Sequence, residues 1–178
     1  MVPRLFIAIR PPHAIRNALL DAMQGVERAR WQDDGQLHLT LRFLGETDHH
    51  RANDLASALA SVSASPFALS VRGSGIFERK GTVHTLWAGV EPSEPLQRLQ
   101  ARIERVCQQV GFAPETRKFV PHITLARLNA SAGPLAQFLA RTGDLRFGEW
   151  TVDDFRLYES HLDPGGARYE PVVRYPLA

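Results

Sequence analysis

The chain has one cysteine, Cys107, and only two lysines, Lys80 and Lys118, among its 178 residues. A lone cysteine excludes an internal disulfide and a metal site built from several thiolates. Cys107 sits among apolar residues at helical spacing, where it reads as a small packing residue. There is no long apolar run, so no membrane-spanning helix is expected. Met1-Val2-Pro3-Arg4 leads directly into a short apolar stretch with no signal-peptide pattern, and the expected location is the cytoplasm. The charge balance is nearly even, at a formal +2. Broad, sequence-independent wrapping of nucleic acid is therefore not expected, although a small phosphate pocket is. No glycine-rich nucleotide loop, carboxylate pair or Ser/His/Asp arrangement stands out. With lysine so scarce, arginine carries the positive charge, and its planar fork of donors suits phosphate.

What is present fits an ordinary globular domain, with 44% hydrophobic and 22% charged residues. Leu5 to Ile9 reads as a strand stopped by Pro11-Pro12. Ile15, Leu19, Ala22, Met23 and Val26 recur at helical spacing. Gln36 to Leu44 alternates as a strand, with Leu37, Leu39, Leu41 and Phe43 on one face and His38, Thr40 and Arg42 on the other. A second helix is expected around Leu55, Leu59 and Val62. Phe67, Leu69 and Val71 predict a strand that Gly73-Ser74-Gly75 breaks or bends, and Val83 to Val90 predicts another. Ser93 is placed to cap a helix striped by Leu96, Leu99, Ile103, Val106 and Val110 and ended by Gly111. Val120 to Leu128 follows as a strand, then a short helix after Pro134. Three strands close the chain, with Pro164-Gly165-Gly166 as a turn between the last two. The pattern predicts an α+β fold with antiparallel sheets covered by helices.

A weak repeat runs through this pattern. Leu37-His38-Leu39-Thr40-Leu41-Arg42-Phe43-Leu44 resembles Pro121-His122-Ile123-Thr124-Leu125-Ala126-Arg127-Leu128, and each copy follows a strand and a helix. Two related lobes facing one cleft are expected. One His-x-Thr unit on a strand is no more than a polar face. Two in a chain with seven histidines point to chemistry. Histidine titrates near pH 6.5 and can serve as acid or base. A threonine on the same face can donate its hydroxyl to a phosphoryl oxygen. Two histidines, two hydroxyls and an arginine make a phosphodiester site that needs no metal.

These paired motifs and their flanks resemble the 2H phosphoesterase superfamily, and more narrowly its LigT-like RNA 2′,3′-cyclic phosphodiesterases, also called 2′-5′ RNA ligases. The resemblance includes Arg4 to Ile9, His38 to Glu46, Leu86 to Val90, Pro121 to Arg127 and Leu157 to Ser160. It implies a single bilobal pseudo-twofold domain over residues 1–178, with two antiparallel sheets lining a central cleft and helices outside. It implies hydrolysis of an RNA-terminal 2′,3′-cyclic phosphate to a 2′-phosphate without metal or other cofactor. By resemblance, His38 and His122 are the catalytic acid and base, with Thr40, Thr124 and Arg127 as phosphate ligands and Phe6 as a platform for the terminal base. Strict alternation puts Arg127 on the face opposite His122 and Thr124. Either the strand ends or bulges before Arg127, or Arg42, which has the parity of His38, is the phosphate ligand.

The expected partner is an RNA 3′ end bearing the cyclic phosphate, with no membrane, and the expected state is a monomer. Two other readings use the same residues: 2′-5′ RNA ligation, and hydrolysis of a small cyclic nucleotide such as an ADP-ribose cyclic phosphate. A non-catalytic RNA-binding module is disfavoured because both motifs keep histidine and threonine. His13, His49, His50, His84 and His161 read as surface or rim residues. Trp31, Trp87 and Trp150 read as packing residues, with Trp31 the one best placed to border the cleft.

Overall fold

The computed structural model describes residues 2–178, and Met1 lies outside them. Nine strands and four helices follow one another in the order β1 (Arg4–Ile9), α1 (His13–Ala22), β2 (Arg30–Trp31), β3 (Leu39–Glu46), α2 (His49–Ala58), β4 (Phe67–Arg79), β5 (Thr82–Val90), α3 (Glu94–Gln109), β6 (His122–Arg127), α4 (Ala136–Thr142), β7 (Arg146–Val152), β8 (Asp154–Asp163) and β9 (Gly166–Pro176). The fold is α+β, as the pattern predicts. Glycine bends the fourth strand rather than breaking it. Gly73 takes φ +78°, at an irregularity in the β4–β5 register, and pairing resumes beyond it. The short strand β2 is the element that sequence periodicity misses, because two residues are too few to show a period.

The strands form one antiparallel sheet in the order β7-β4-β5-β6-β3-β1-β8-β9, with β2 added against β6. The two expected sheets are therefore two halves of a single one. The halves join where β3 meets β6, at Leu39 opposite Ile123. Leu39 and Ile123 are both fully buried. Antiparallel partners share a face, so the residues flanking this contact, His38 and Thr40 on one side and His122 and Thr124 on the other, share the opposite face. The repeat seen in the sequence thus meets itself at the junction of the halves.

Helices cover the other face. Ile15 and Leu19 of α1 and Leu96, Leu99 and Ile103 of α3 are at most 3% exposed. Two helices, α1 and α3, are exchanged between halves. α1 follows β1 but packs on β7, while α3 follows β5 but packs on β3. Ser93 caps α3 as predicted, accepting from the Leu96 amide at 3.2 Å, a contact worth about 1 kcal/mol. Cys107 is buried in the core, and burial pushes its thiol up to about 11, so it is an inert packing residue. Among the described residues no helix is long and apolar enough to cross a membrane.

Candidate active site

Two β-bulges decide which side chains reach the motif face. On β6, Leu86 pairs with Ala126 and Trp87 with Thr124, so Leu125 is the extra residue. An extra residue reverses the alternation beyond it. Arg127 therefore returns to the face of His122 and Thr124, opposite Thr85. Thr85 holds it there, accepting from an Arg127 guanidinium nitrogen at 3.1 Å. On β3, Ala8 pairs with Thr40 and Ile7 with Arg42, so Leu41 is the extra residue. The same reversal sends Arg42 the other way, beside the buried Ile7.

Arg42 is accordingly not a phosphate ligand, which corrects one of the two alternatives left by strict alternation. It is 8% exposed. It pairs with Glu104 of α3 and donates to the carbonyls of Phe43 and Ala113. Its role is to tie β3 to α3 and to the loop after it. Phe43, five residues after His38 as Arg127 is five after His122, comes round to the motif face opposite Phe6.

Phe6 itself is only 2% exposed. Its ring stacks with Tyr158 at 5.2 Å and with Phe43 at 5.7 Å, and Tyr169 meets it edge-on at 4.9 Å. The two stacked neighbours come from β8 and β3, the strands flanking β1, so both faces of the ring are occupied. The expected base platform is thus a buried member of an aromatic row. Phe43, at its end, is 50% exposed.

Each histidine has an aromatic wall. His38 packs edge-to-face against Tyr158 at 4.5 Å and Tyr169 at 5.5 Å. His122 packs edge-to-face against Phe77 at 4.8 Å. Tyr158 and Phe77 occupy matching places in the two halves, one strand beyond the strand that pairs with each motif. Gly75 opens room for this wall: a Cβ there would lie 2.2 Å from the Trp87 ring, which itself lies 6.2 Å from His122.

The two rings are held differently. His122 Nδ1 lies 2.7 Å from the Val120 carbonyl. A carbonyl only accepts, so Nδ1 carries a proton, and in the neutral ring Nε2 is left with its lone pair. Burial lowers the His122 pKa, the Val120 bond partly offsets this, and the Arg127 charge lowers it further. His38 is 6% exposed, and neither ring nitrogen has a protein partner. Burial first, then the positive charge of Arg10, brings its pKa down to about 4; the Gln36 backbone partly offsets this, and Arg156 and Arg16 add smaller lowering effects. A buried imidazole with free nitrogens is costly, and its surroundings welcome an anion that would favour the imidazolium.

The turn before His38 is fixed by charge. Arg10 donates to the Asp34 and Leu37 carbonyls at 2.7 and 3.1 Å, and Arg16 donates to the Asp34 carboxylate at 2.9 Å.

The model of the 2′-5′ RNA ligase superfamily matches residues 10–164 of this chain. The chain belongs to that superfamily. It is 36% identical to a protein of Thermus thermophilus named RNA 2′,3′-cyclic phosphodiesterase, over 98% of this chain and 90% of that one. It is 34% identical to a protein of the same name from Aeropyrum pernix, over 82% and 85% of the two chains. Its fold matches that of E. coli LigT complexed with 3′-AMP, with a TM-score of 0.82, 27% identity and coverage of 100% and 99%.

Sequence reasoning located both His-x-Thr units. It missed Phe77, Thr85, Tyr169, Arg10 and Arg156, and it marked the stretch around Tyr158 without giving that residue a role. Tyr158 and Tyr169 come to His38 from 120 or more positions along the chain, and only sheet order reveals that. From sequence, Trp31 is the tryptophan best placed to border the cleft. It pairs with Ala126 through β2 and packs on Phe138 at 5.7 Å. The remaining histidines stay outside the two motifs: His50 pairs with Asp54 and His161 with Glu170.

Proposed function

We propose that the chain hydrolyses RNA-terminal 2′,3′-cyclic phosphates to 2′-phosphates by two-histidine acid–base catalysis, without a metal. The observation that carries this reading is the meeting of the two His-x-Thr units at the single β3–β6 contact, with Arg127 brought to the same face by the Leu125 bulge. The names of the superfamily relatives support the substrate class. The site residues are His38, His122, Thr40, Thr124 and Arg127, with Phe43 as the ring that has an open face for the terminal base.

Water attacks phosphorus in line with the bond to the 3′ oxygen. His122 Nε2 takes a proton from the water as the new P–O bond forms. His38, as imidazolium, gives its proton to the departing 3′ oxygen as that P–O bond breaks. The product carries a 2′-phosphate and a free 3′-hydroxyl. Thr40, Thr124 and Arg127 bond the non-bridging oxygens, on which charge grows in the transition state. The Val120 bond suits His122 to the base, because it leaves Nε2 free to accept. Binding of the anionic substrate beside Arg10 and Arg156 supplies the negative charge that raises His38 toward the protonated form. His122 ends the turnover protonated and His38 neutral, and exchange with solvent resets both.

The test is incubation with a short RNA ending in a 2′,3′-cyclic phosphate, in the presence of a chelator. Sustained turnover is the expected result. Activity lost in chelator and restored by a divalent ion would defeat the metal-free mechanism.

A further inference from the structure

The wall around His38 contains one residue that the mechanism above does not use and that comes from the edge of the sheet. Of its three aromatic neighbours, Phe6 and Tyr158 lie on interior strands and are each 2% exposed. Tyr169 lies on β9, the edge strand, three residues after the turn that closes the β8–β9 hairpin. Its partner across the hairpin is Ser160, and Ser160 pairs in turn with Arg4 on β1. That register aims Tyr169 at the motif face, where its ring meets both Phe6 at 4.9 Å and His38 at 5.5 Å.

One further contact ties Tyr169 to the turn that carries His38. The hairpin is fastened beside it, since the Gln36 side-chain amide donates to the Ala167 carbonyl at 2.7 Å. Gln36 stands two residues before His38 and Ala167 two before Tyr169, so one bond couples the hairpin to the catalytic turn. The Tyr169 hydroxyl also feels the other half of the cleft. Burial raises its pKa, while the Arg127 charge pulls it back and Asp33 adds a small push upward. The phenol is therefore neutral and able to donate, and its ring lies against His38. Both His38 nitrogens are closed off from solvent beneath this wall.

We propose that Tyr169 is a substrate-contacting residue of this enzyme, which covers His38 and donates its hydroxyl to a phosphoryl oxygen of the cyclic phosphate. The ligand class is a phosphate mono- or diester anion at an RNA end. The proposal rests on the function proposed above, and its test has an arm independent of turnover.

Two variants separate ring from hydroxyl. Tyr169→Phe keeps the cover and removes the donor, whereas Tyr169→Ala removes both. A hydrogen bond to a charged oxygen predicts that Tyr169→Phe lowers kcat/KM on the cyclic-phosphate RNA by about ten-fold or more. Inhibition or binding by inorganic phosphate should weaken by a similar factor. Acylation of His38 by diethyl pyrocarbonate, followed by peptide mass spectrometry, reads the cover directly. It should be slow in the native protein and in Tyr169→Phe, and markedly faster in Tyr169→Ala. Circular dichroism and melting temperature check that the variants are folded. Native phosphate affinity and kcat/KM in a folded Tyr169→Phe protein would overturn the donor role, and unchanged His38 acylation in Tyr169→Ala would overturn the cover. If the native protein turns over no cyclic phosphate, the function reading fails, while the phosphate-binding and acylation arms still decide the role of Tyr169.

Discussion

At the residue scale the two histidines differ in what they are poised to do. His122 is held by one backbone carbonyl with its second nitrogen free, while His38 is buried with neither nitrogen partnered. His38→Ala and His122→Ala should each abolish turnover while leaving the circular dichroism spectrum native. Near-native turnover in either variant would remove that histidine from the mechanism. Both pKa values are pushed below the usual histidine value, His38 to about 4. Above both values no imidazolium is left to act as acid, and below both no free base remains. The kcat/KM profile should therefore be a bell with its optimum below pH 6.5, and bound phosphate should move the kcat profile to higher pH. A kcat/KM optimum at pH 8 would contradict the assignment. The same shift governs stability. The unfolded chain protonates His38 near 6.5 and the folded protein near 4, so its contribution is present above 6.5 and is lost as pH falls toward 4. The groups facing it are Arg10, Arg16 and Arg156, with the phenols of Tyr158 and Tyr169. The urea-unfolding advantage of the native protein over His38→Gln should shrink by roughly 3 kcal/mol between pH 7 and pH 4.

At the element scale the bulges at Leu41 and Leu125 do the sorting. They explain why two arginines that look interchangeable are not. Arg42→Ala breaks a buried pair and strands Glu104, which should cost about 3–5 kcal/mol of stability. Well below its melting temperature, the folded variant should keep most of its activity. Arg127→Ala should do the reverse, cutting kcat/KM by two orders of magnitude or so with little change in melting temperature. Equal melting losses in the two variants would contradict the reading. This contrast also marks how far the sequence is legible. Alternation suffices to put His38 with Thr40 and His122 with Thr124, because each pair lies on one side of its bulge. It fails one step later, because a bulge is a local backbone event with no residue signature here: Leu41 and Leu125 look like ordinary strand leucines. Phe6 shows a second limit. Its neighbours Tyr158 and Tyr169 are set by strand order, so a ring that reads as available in sequence is enclosed in the fold.

At the scale of the whole molecule, the repeat becomes two half-sheets joined at Leu39 and Ile123, with α1 and α3 each packed on the half that did not precede it. Neither half can cover its own core without the other, so thermal unfolding should be a single transition with equal calorimetric and van't Hoff enthalpies. Two separable transitions would show the halves to be independent. The repeat was visible in sequence, but the helix exchange was not, because periodicity reports which face of a helix is apolar and not which sheet receives it. The arrangement places one histidine from each half at the junction, and the account stands on their acting in sequence on one phosphorus. The most direct measurement is hydrolysis of a cyclic-phosphate RNA in ¹⁸O-labelled water, with the product position read by mass spectrometry. The account predicts a 2′-phosphate carrying one ¹⁸O atom and a free 3′-hydroxyl. A 3′-phosphate, or a 2′-phosphate without the label, would contradict it.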